Sequence, residues 1–265
     1  EVMGRIYTFH DITAERVSER LRFDLLSRVS HELRTPLTSI RGFAEFILEM
    51  THDELPDLAR EYTEIILNSA KHLNHVFNDL IEFTRANVGE IELYIINATM
   101  QDTIIDVVAR LEMQHKARNQ RVIMLINDEF PAIPFDTERV GQVLSNLIIN
   151  AIKYAPQDTT IYIGMAQVDS LADLPDGAPT DTVLPCMLVS VIDEGDGLSE
   201  DDVEVVFLPF YRTKAAAAAQ VPGSGLGLAV SRGIIELHRG RLWAQTATAD
   251  APGGRFYFTL PTTQA

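Results

Sequence analysis

The sequence predicts two domains of different class, a long helical hairpin that pairs with a second copy into a four-helix bundle, followed by an α/β sandwich. Apolar residues recur at helical spacing from Ala14 to about Met50 and again from about Asp57 to Asn87, with a polar break at Thr51 to Pro56. At Gly89 the period changes, and strand-like and helix-like segments alternate to the C-terminus. A chain of 265 residues with 46% hydrophobic content can hold two modest cores.

The elements follow in order. Val2 to Phe9 reads as a strand closed by His10-Asp11-Ile12-Thr13, and one strand cannot fold alone. Residues 1–13 therefore read as the end of an upstream domain, similar at Phe9 to Thr13 to the end of a PAS sensor domain. Val17, Leu21 and Leu25 lead into a helix of about ten turns, too long for a small globular core. With Leu33 at zero and about 100° per residue, Leu26, Val29, Leu37, Ile40, Ala44 and Ile47 fall within about 40° of one stripe. His31 falls about 160° away on the outward face, with Thr35 one turn later and Glu32 and Arg34 to either side. Pro36 removes one helical hydrogen bond and bends the helix just after the histidine. In the second helix Tyr62, Ile65, Ile66, Leu73, Val76, Phe77, Leu80 and Phe83 form the apolar face. One chain cannot cover both stripes, so a homodimer is expected.

Beyond Gly89, strands are expected at Glu90 to Ile96, Arg121 to Ile126, Thr160 to Gln167, Met187 to Ile192, Gly240 to Thr246 and Gly254 to Thr259. Helices are expected at Met100 to Lys116, Phe135 to Tyr154 and about Leu226 to His238. Asp169 to Pro185, rich in Asp and Pro, reads as a flexible surface loop.

Composition narrows the function. Asp and Glu outnumber Lys and Arg by 38 to 22, giving a net charge of −16, so nucleic acid is not expected as a partner and any phosphate must be held by local geometry. The single Cys186 excludes an internal disulfide framework and fits a reducing compartment. No run approaches the roughly 20 apolar residues of a membrane helix, and there is no signal peptide. The chain begins at Glu1 without Met and reads as a cytoplasmic fragment, with membrane contact only if an upstream region supplies it.

Three further patterns carry chemistry. In Asn146-Leu147-Ile148-Ile149-Asn150-Ala151-Ile152-Lys153-Tyr154, two amides one turn apart and an ammonium share one edge of an apolar helix, suited to Mg²⁺ and phosphate oxygens. In Asp193-Glu194-Gly195-Asp196-Gly197, a carboxylate at a strand end can accept from an exocyclic amine while glycines let the backbone approach a planar ring. An EF-hand is excluded there, because the later oxygen ligands are missing. Gly223-Ser224-Gly225-Leu226-Gly227-Leu228 opens a helix, where free amides form a phosphate site. It is neither a Walker A loop nor a dinucleotide fingerprint. Phe207, Phe210, Tyr211, Arg212, Thr213 and Lys214 begin a connection long enough to act as a lid.

The box Ser30-His31-Glu32-Leu33-Arg34-Thr35-Pro36-Leu37, the asparagine box, both glycine boxes and the Phe207 to Arg212 box together resemble a two-component sensor histidine kinase from about Ala14 to Leu260. The resemblance implies a signalling helix with a dimerisation and histidine-phosphotransfer domain over 14–90, and a Bergerat-type (GHKL) ATP-binding domain over 91–265. It implies that His31 attacks the γ-phosphate of ATP, with Glu32 as base or orienter, and that a response-regulator aspartate takes the phosphoryl group. It also allows phosphatase activity, with Thr35 placing a water. Asn150, helped by Asn146, would hold Mg²⁺, and Lys153 and Tyr154 would contact phosphates. Asp193 would bind the adenine amine, while Gly195, Gly197, Gly225 and Gly227 permit close backbone approach. Arg212, Gly223 and Leu226 join the nucleotide site by the same match. The alanines Ala215 to Ala219 depart from the family's mixed polar lid, so no contacts are assigned there.

An ATP-binding but catalytically silent scaffold is the alternative, and intact His31, Glu32 and Asn150 weigh against it. A gyrase- or chaperone-type ATPase would share the asparagine and glycine boxes but leaves the hairpin unexplained. A zinc protease is excluded, since Thr35 stands where a second histidine ligand is needed.

Overall fold

The computed structural model of the chain describes residues 33, 37–49, 57–88, 91–126, 130–218, 223–248 and 252–263. The expected strand Val2 to Phe9, most of the helix leading from Ala14, and His31, Glu32 and Thr35 lie outside these residues. The chain divides into two compact units, with the boundary between Glu90 and Ile91.

In the first unit the helix α1 (37–49) is followed by α2 (Asp57–Val88). Leu37 and Ala44 of α1 and Thr63 and Ala70 of α2 are buried, and Lys71 Nζ lies 3.8 Å from Glu45 Oε1. The Thr63, Ser69 and Thr84 hydroxyls donate back to carbonyls one turn earlier, so polar side chains sit on α2 without leaving the helix unsatisfied. Among the described residues of the expected stripe, only Leu37 and Ala44 are covered within one chain. Leu33, Ile40 and Ile47 remain exposed, as do Tyr62, Ile65, Ile66 and Leu73 on α2. Among the described residues no helix is long and apolar enough to cross a membrane.

The second unit contains β1 (Ile96–Ala98), α3 (Met100–Arg110), α4 (Glu112–Ala117), β2 (Arg121–Leu125), β3 (Ile133–Phe135), α5 (Thr137–Tyr154), β4 (Thr160–Val168), β5 (Cys186–Ile192), α6 (Glu200–Val203), α7 (Lys214–Ala218), α8 (Gly227–Leu237), β6 (Leu242–Gln245) and β7 (Arg255–Pro261). Five strands form one sheet in the order β2-β4-β5-β7-β6, with β2 parallel to β4 and the other pairs antiparallel. Side-chain alternation places Ile161, Ile163, Val189, Val191 and Phe258, all fully or almost fully buried, on one face. Helices α5 and α8 pack on the sheet and on each other, and α3 packs on α5. Leu144, Leu147 and Ile148 give α5 a completely buried side, which leaves its opposite edge free for chemistry.

Several elements differ from the sequence reading. Of the strand expected over Glu90 to Ile96, the described residues Ile91 to Ile95 do not pair in a ladder, and Glu90 lies outside the described residues. The Tyr94 amide donates to the Asp136 carboxylate (2.8 Å), so ladder pairing begins only at Ile96, opposite Phe135. Its partner β3 is absent from the sequence reading, and Phe135 belongs to this strand, not to the helix expected from Phe135, which starts at Thr137 after the Asp136 cap; a short two-stranded edge tolerates Pro134 opposite Asn97. The helix expected over Met100 to Lys116 breaks at Leu111 (φ −95°, ψ 4°) into α3 and α4. The run at Ala215 to Ala218 continues α7.

The largest correction concerns Asp169 to Pro185, which is a folded arm and not a flexible loop. Leu174, Ala178 and Leu184 pack on the second face of the sheet against Val168, Cys186, Leu188, Trp243 and Tyr257. Trp243 and Tyr257 stack at 5.5 Å, and Gln245 Nε2 donates to the Asp176 carbonyl at 2.6 Å. Arg241 pairs with Asp181 through two guanidinium nitrogens. Aspartates and prolines shape the turns of the arm, while a few spaced apolar residues anchor it.

One hydrogen bond joins the start of α5 to the end of α8, and a second fixes the imidazole that makes it. His238 Nδ1–H donates to the Ile234 carbonyl (2.7 Å), and its Nε2 accepts from the Asp136 amide (3.1 Å). Asp136 also caps α5 by accepting from Glu138 and Arg139. Burial holds His238 below its ordinary pKa, partly opposed by its bond to Ile234 and the nearby Asp136 charge. A histidine with a depressed folded pKa stabilises the fold fully above its unfolded value, about 6.5, and loses that contribution as pH falls through the folded value. The thermal midpoint is therefore expected to drop between about pH 7.5 and about pH 5, and His238→Gln to flatten that decline, as read by differential scanning calorimetry.

Candidate functional site

Asp193 follows directly from β5 and is only 5% exposed. Its Oδ1 accepts from the amides of Gly195 (2.8 Å) and Gly254 (3.1 Å), and its own amide donates to the Gly254 carbonyl (2.9 Å). Those bonds fix the carboxylate plane, while Oδ2 accepts no hydrogen bond from the described residues. Burial raises the Asp193 pKa, against the two amide bonds that lower it. Because the folded pKa is raised, keeping Asp193 ionised costs the fold stability at neutral pH; a ligand that donates to Oδ2 would recover it.

The cradle around Asp193 is built from glycines that no side chain can replace. A Cβ at Gly254 would lie 2.4 Å from Asp193 Oδ2, and one at Gly253 1.7 Å from the Asp193 carbonyl oxygen. Gly253 also has φ +94°. Sequence reasoning missed both, although Pro252-Gly253-Gly254 just before a strand was a usable turn signal. Gly195 presses on the end of α5, where its Cβ would lie 3.0 Å from the Tyr154 carbonyl oxygen. Gly197 (φ +70°) packs against Gly253.

On α5, Asn146, Asn150 and Lys153 are half-buried and Tyr154 is exposed. Asn146 Nδ2 donates to the Gly227 carbonyl and to Ser231 Oγ, both at 3.3 Å. Its amide thus binds the first turn of α8. With the Asp136–His238 contact, α8 is tied to α5 at both of its own ends, to the middle of α5 at Asn146 and to its start at Asp136. Ser231, fully buried, was not singled out by the sequence. Burial raises the Tyr154 pKa, opposed by the positive charge of Arg212, which brings those two residues within electrostatic reach.

The first turn of α8 has no side-chain cap at Leu226, which is completely buried. Gly225 (φ +73°) sits against the backbone of Phe210, whose amide donates to the Gly225 carbonyl at 2.9 Å. Phe210 itself holds φ +62°, so the two ends of the 211–224 connection are clasped at its base. Gly223 faces open space. Phe207 anchors this base, edge-to-face with Phe256 and under the Arg232 guanidinium at 5.2 Å. Arg212 donates from Nη2 to the Ala216 carbonyl (3.2 Å), and Tyr211 OH donates to Asp202 at 2.6 Å. A methyl at Gly225 would meet Phe210 backbone atoms at 2.8–2.9 Å. Gly225→Ala is expected to cost about 1–3 kcal/mol in denaturant unfolding, because both the φ value and the clasp are lost.

Among the described residues no cluster of three His, Cys, Asp or Glu could hold a resident metal. One amide oxygen at Asn150 suits a hard cation that arrives with most of its oxygen ligands already supplied by phosphates and water.

Residues 21–89 match the His Kinase A (phospho-acceptor) domain model, and residues 135–264 match the model for the histidine kinase-, DNA gyrase B- and HSP90-like ATPase. The Sensor histidine kinase WalK of Bacillus subtilis is 29% identical over 98% of this chain and 40% of its own length. The Sensor protein kinase WalK of Staphylococcus aureus is 30% identical over 98% of this chain and 58% of its own. The chain belongs to the two-component sensor histidine kinases. It spans about half the length of these curated relatives. Among solved structures, histidine kinase ThkA in complex with response regulator protein TrrA aligns with TM-score 0.61 and 26% identity, over 94% of this chain and 66% of that one. Full-length ShkA in complex with AMPPNP aligns with TM-score 0.71 and 24% identity, over 91% of this chain and 46% of that one, which shows a shared fold. The order of a helical hairpin and then a GHKL-type α/β ATPase domain is thus that of the family.

Proposed function

We propose that this chain phosphorylates itself on His31 with ATP and passes the phosphoryl group to an aspartate of a response-regulator receiver domain. The carrying observation is Asp193, a buried carboxylate with one oxygen fixed by two amides and the other left to accept from the adenine amine. The ThkA complex with a response regulator and the ShkA complex with AMPPNP support the same partners for this chain.

Asn150 and Lys153 face the phosphates from one edge of α5, and the uncapped amides of Gly227 and Leu228 face them from α8. Tyr154 and Arg212 complete the cationic and hydrogen-bonding side, with Arg212 at the base of the lid. Asn146 serves by holding Gly227 in place rather than as a direct metal ligand. Gly195, Gly197, Gly225 and Gly227 bring backbone close to the nucleotide, with Leu226 and Gly223 shaping the loop. Asn150 would hold Mg²⁺ together with the nucleotide, and the ion would supply charge neutralisation for the transfer.

Glu32 accepts the proton from one nitrogen of His31, so the other nitrogen attacks phosphorus in line. A P–N bond forms, the γ-phosphate bond to ADP breaks, and ADP leaves with the electron pair. Thr35, on the same outward face, orients a water for the reverse regulatory reaction, hydrolysis of the phosphorylated receiver. Residues 14–90 act as the dimerisation and phosphotransfer domain and 91–265 as the catalytic domain. The exposed stripe of Ile40, Ile47, Tyr62, Ile65 and Ile66 supports a homodimeric bundle.

Incubation with γ-labelled ATP and Mg²⁺ should yield acid-labile, base-stable label that moves to an added receiver domain. Steady phosphate release with no phosphoprotein would instead support a gyrase-type ATPase.

A further inference from the structure

The exit of α5 is held from behind by a buried side chain that no sequence motif marks. Gln120, 3% exposed, points its amide nitrogen at three carbonyl oxygens: Pro156 at 2.9 Å, and Ile152 and Ala155 at 3.3 Å each. Arg118 Nη2 adds a bond to the Ala155 carbonyl at 3.0 Å. The Ile152 and Ala155 carbonyls are ones that a helix C-terminus leaves without intrahelical partners, and Pro156 prevents the helix from continuing to satisfy them. The Pro156 carbonyl also accepts from Thr159 Oγ1 at 2.7 Å, so Ile152 is the carbonyl that relies most on Gln120.

Gln120 is itself firmly placed. Its amide donates to the His115 carbonyl and its carbonyl accepts from His115 Nδ1, both at 2.9 Å. The flanking turns are joined as well: Asp158 donates to the Arg118 carbonyl (3.3 Å), Arg121 to the Thr159 carbonyl (3.0 Å), and Asn119 to the Asp158 carboxylate. The side chain therefore acts as a fixed strut between the start of β2 and the end of α5. On the far side of that end lies the adenine turn, since Gly195 packs on the Tyr154 carbonyl and Ala155 Cα and donates to Asp193.

We propose that Gln120 is a positioning residue for the nucleotide site, fixing through residues 152–156 the places of Lys153 and Tyr154 and the seat of the Asp193 turn. The inference rests on the reading of Asp193 as the adenine acceptor. Gln120 touches no nucleotide; it acts by denying the α5 exit the freedom to slide away from Gly195. Three carbonyls turned toward one another are mutually repulsive unless a donor stands among them, so the requirement is for donors and not merely for volume.

The test uses the full chain, ADP binding by calorimetry, and amide hydrogen exchange over residues 152–157. Gln120→Met keeps the approximate shape without donors and is expected to weaken ADP about tenfold, the scale of one lost hydrogen bond. Exchange at 154–157 should accelerate while most of the fold's protection is retained. Gln120→Glu gives a signature that a purely structural role would not. Its carboxylate faces three acceptors while ionised, whereas the protonated form donates, so the loss of affinity relative to the wild type shrinks as pH falls. Asp193 titrates in both proteins, so the readout is the ratio of their affinities at each pH.

A folded Gln120→Met variant with wild-type ADP affinity would overturn the proposal. If that variant does not fold, Gln120→Glu decides: a loss relative to the wild type that shrinks as pH falls supports the strut, and no loss, or a loss independent of pH, refutes it. Absence of ADP binding by the wild-type chain would refute the nucleotide reading and the proposal with it, whereas wild-type binding with unaltered variants refutes the proposal alone.

Discussion

Asp193→Asn is expected to weaken ATP binding about a hundredfold, because the new side chain presents a donor where the site needs an acceptor. The Asn oxygen would take the two amide bonds now made by Oδ1, from Gly195 and Gly254, and its NH2 group would then occupy the place of Oδ2. That group faces the adenine amine donor-to-donor. A nucleotide with a carbonyl at the same ring position, such as inosine triphosphate, accepts from the new group and should lose far less. Competition binding with both nucleotides separates this exchange of partners from general damage to the site. The wild type should show a related pH effect. Burial raises the Asp193 pKa, so ATP affinity should begin to fall, as pH is lowered, above the range near 4 where an exposed carboxylate titrates.

The second large effect is expected at Asn150. It lies on the half-buried edge of α5, one turn after the Asn146 that is tied to Gly227 and Ser231. Asn150→Ala should leave nucleotide binding without Mg²⁺ nearly intact while abolishing most of the gain in affinity that Mg²⁺ brings. Phosphorylation should slow by about two to three orders of magnitude, the range for removing one group that organises charge in a transition state. Asn146→Ala should behave differently. Its bonds run to α8, so it should lower the stability of the second unit and weaken nucleotide binding with or without Mg²⁺. Parallel titrations of the two variants, each with and without Mg²⁺, compare these roles.

The parts of the site that were readable in the sequence are those whose partners are near in the chain. The apolar period of α5 revealed its helix and therefore its polar edge, and the run of β5 ending at Asp193 revealed a strand with an acid at its tip. What escaped depends on distant contacts. Gly254 reaches Asp193 across 61 residues, and Asn146 reaches Ser231 across 85. Neither pairing leaves a local pattern. Gln120 has no periodic or turn signature, because a buried glutamine in a polar turn looks like any exposed one until the carbonyls around it are known. The strand β3 is three residues long and has no local pattern of its own, and the prolines of Asp169 to Pro185 suggested mobility in a segment that Leu174 and Leu184 anchor to Trp243 and Tyr257.

The helical unit shows the converse. Helical spacing alone showed that its apolar surface exceeds what one chain covers, and Phe43, 70% exposed, and Phe46, 57% exposed, lie outside the expected stripe altogether. In the proposed homodimer a second copy would cover Ile40 and Ile47, whereas Phe43 and Phe46 face away from that stripe.

The account stands most directly on where the γ-phosphate goes. The 265-residue chain and its His31→Gln variant should be incubated with γ-labelled ATP and Mg²⁺, with ATP binding measured in parallel and the phosphorylated position mapped at alkaline pH. The predicted result is label on His31 alone, stable in base and lost in acid, and no label in His31→Gln although that variant binds ATP as the wild type does. Label that persists in His31→Gln, or that maps to another residue, would contradict it.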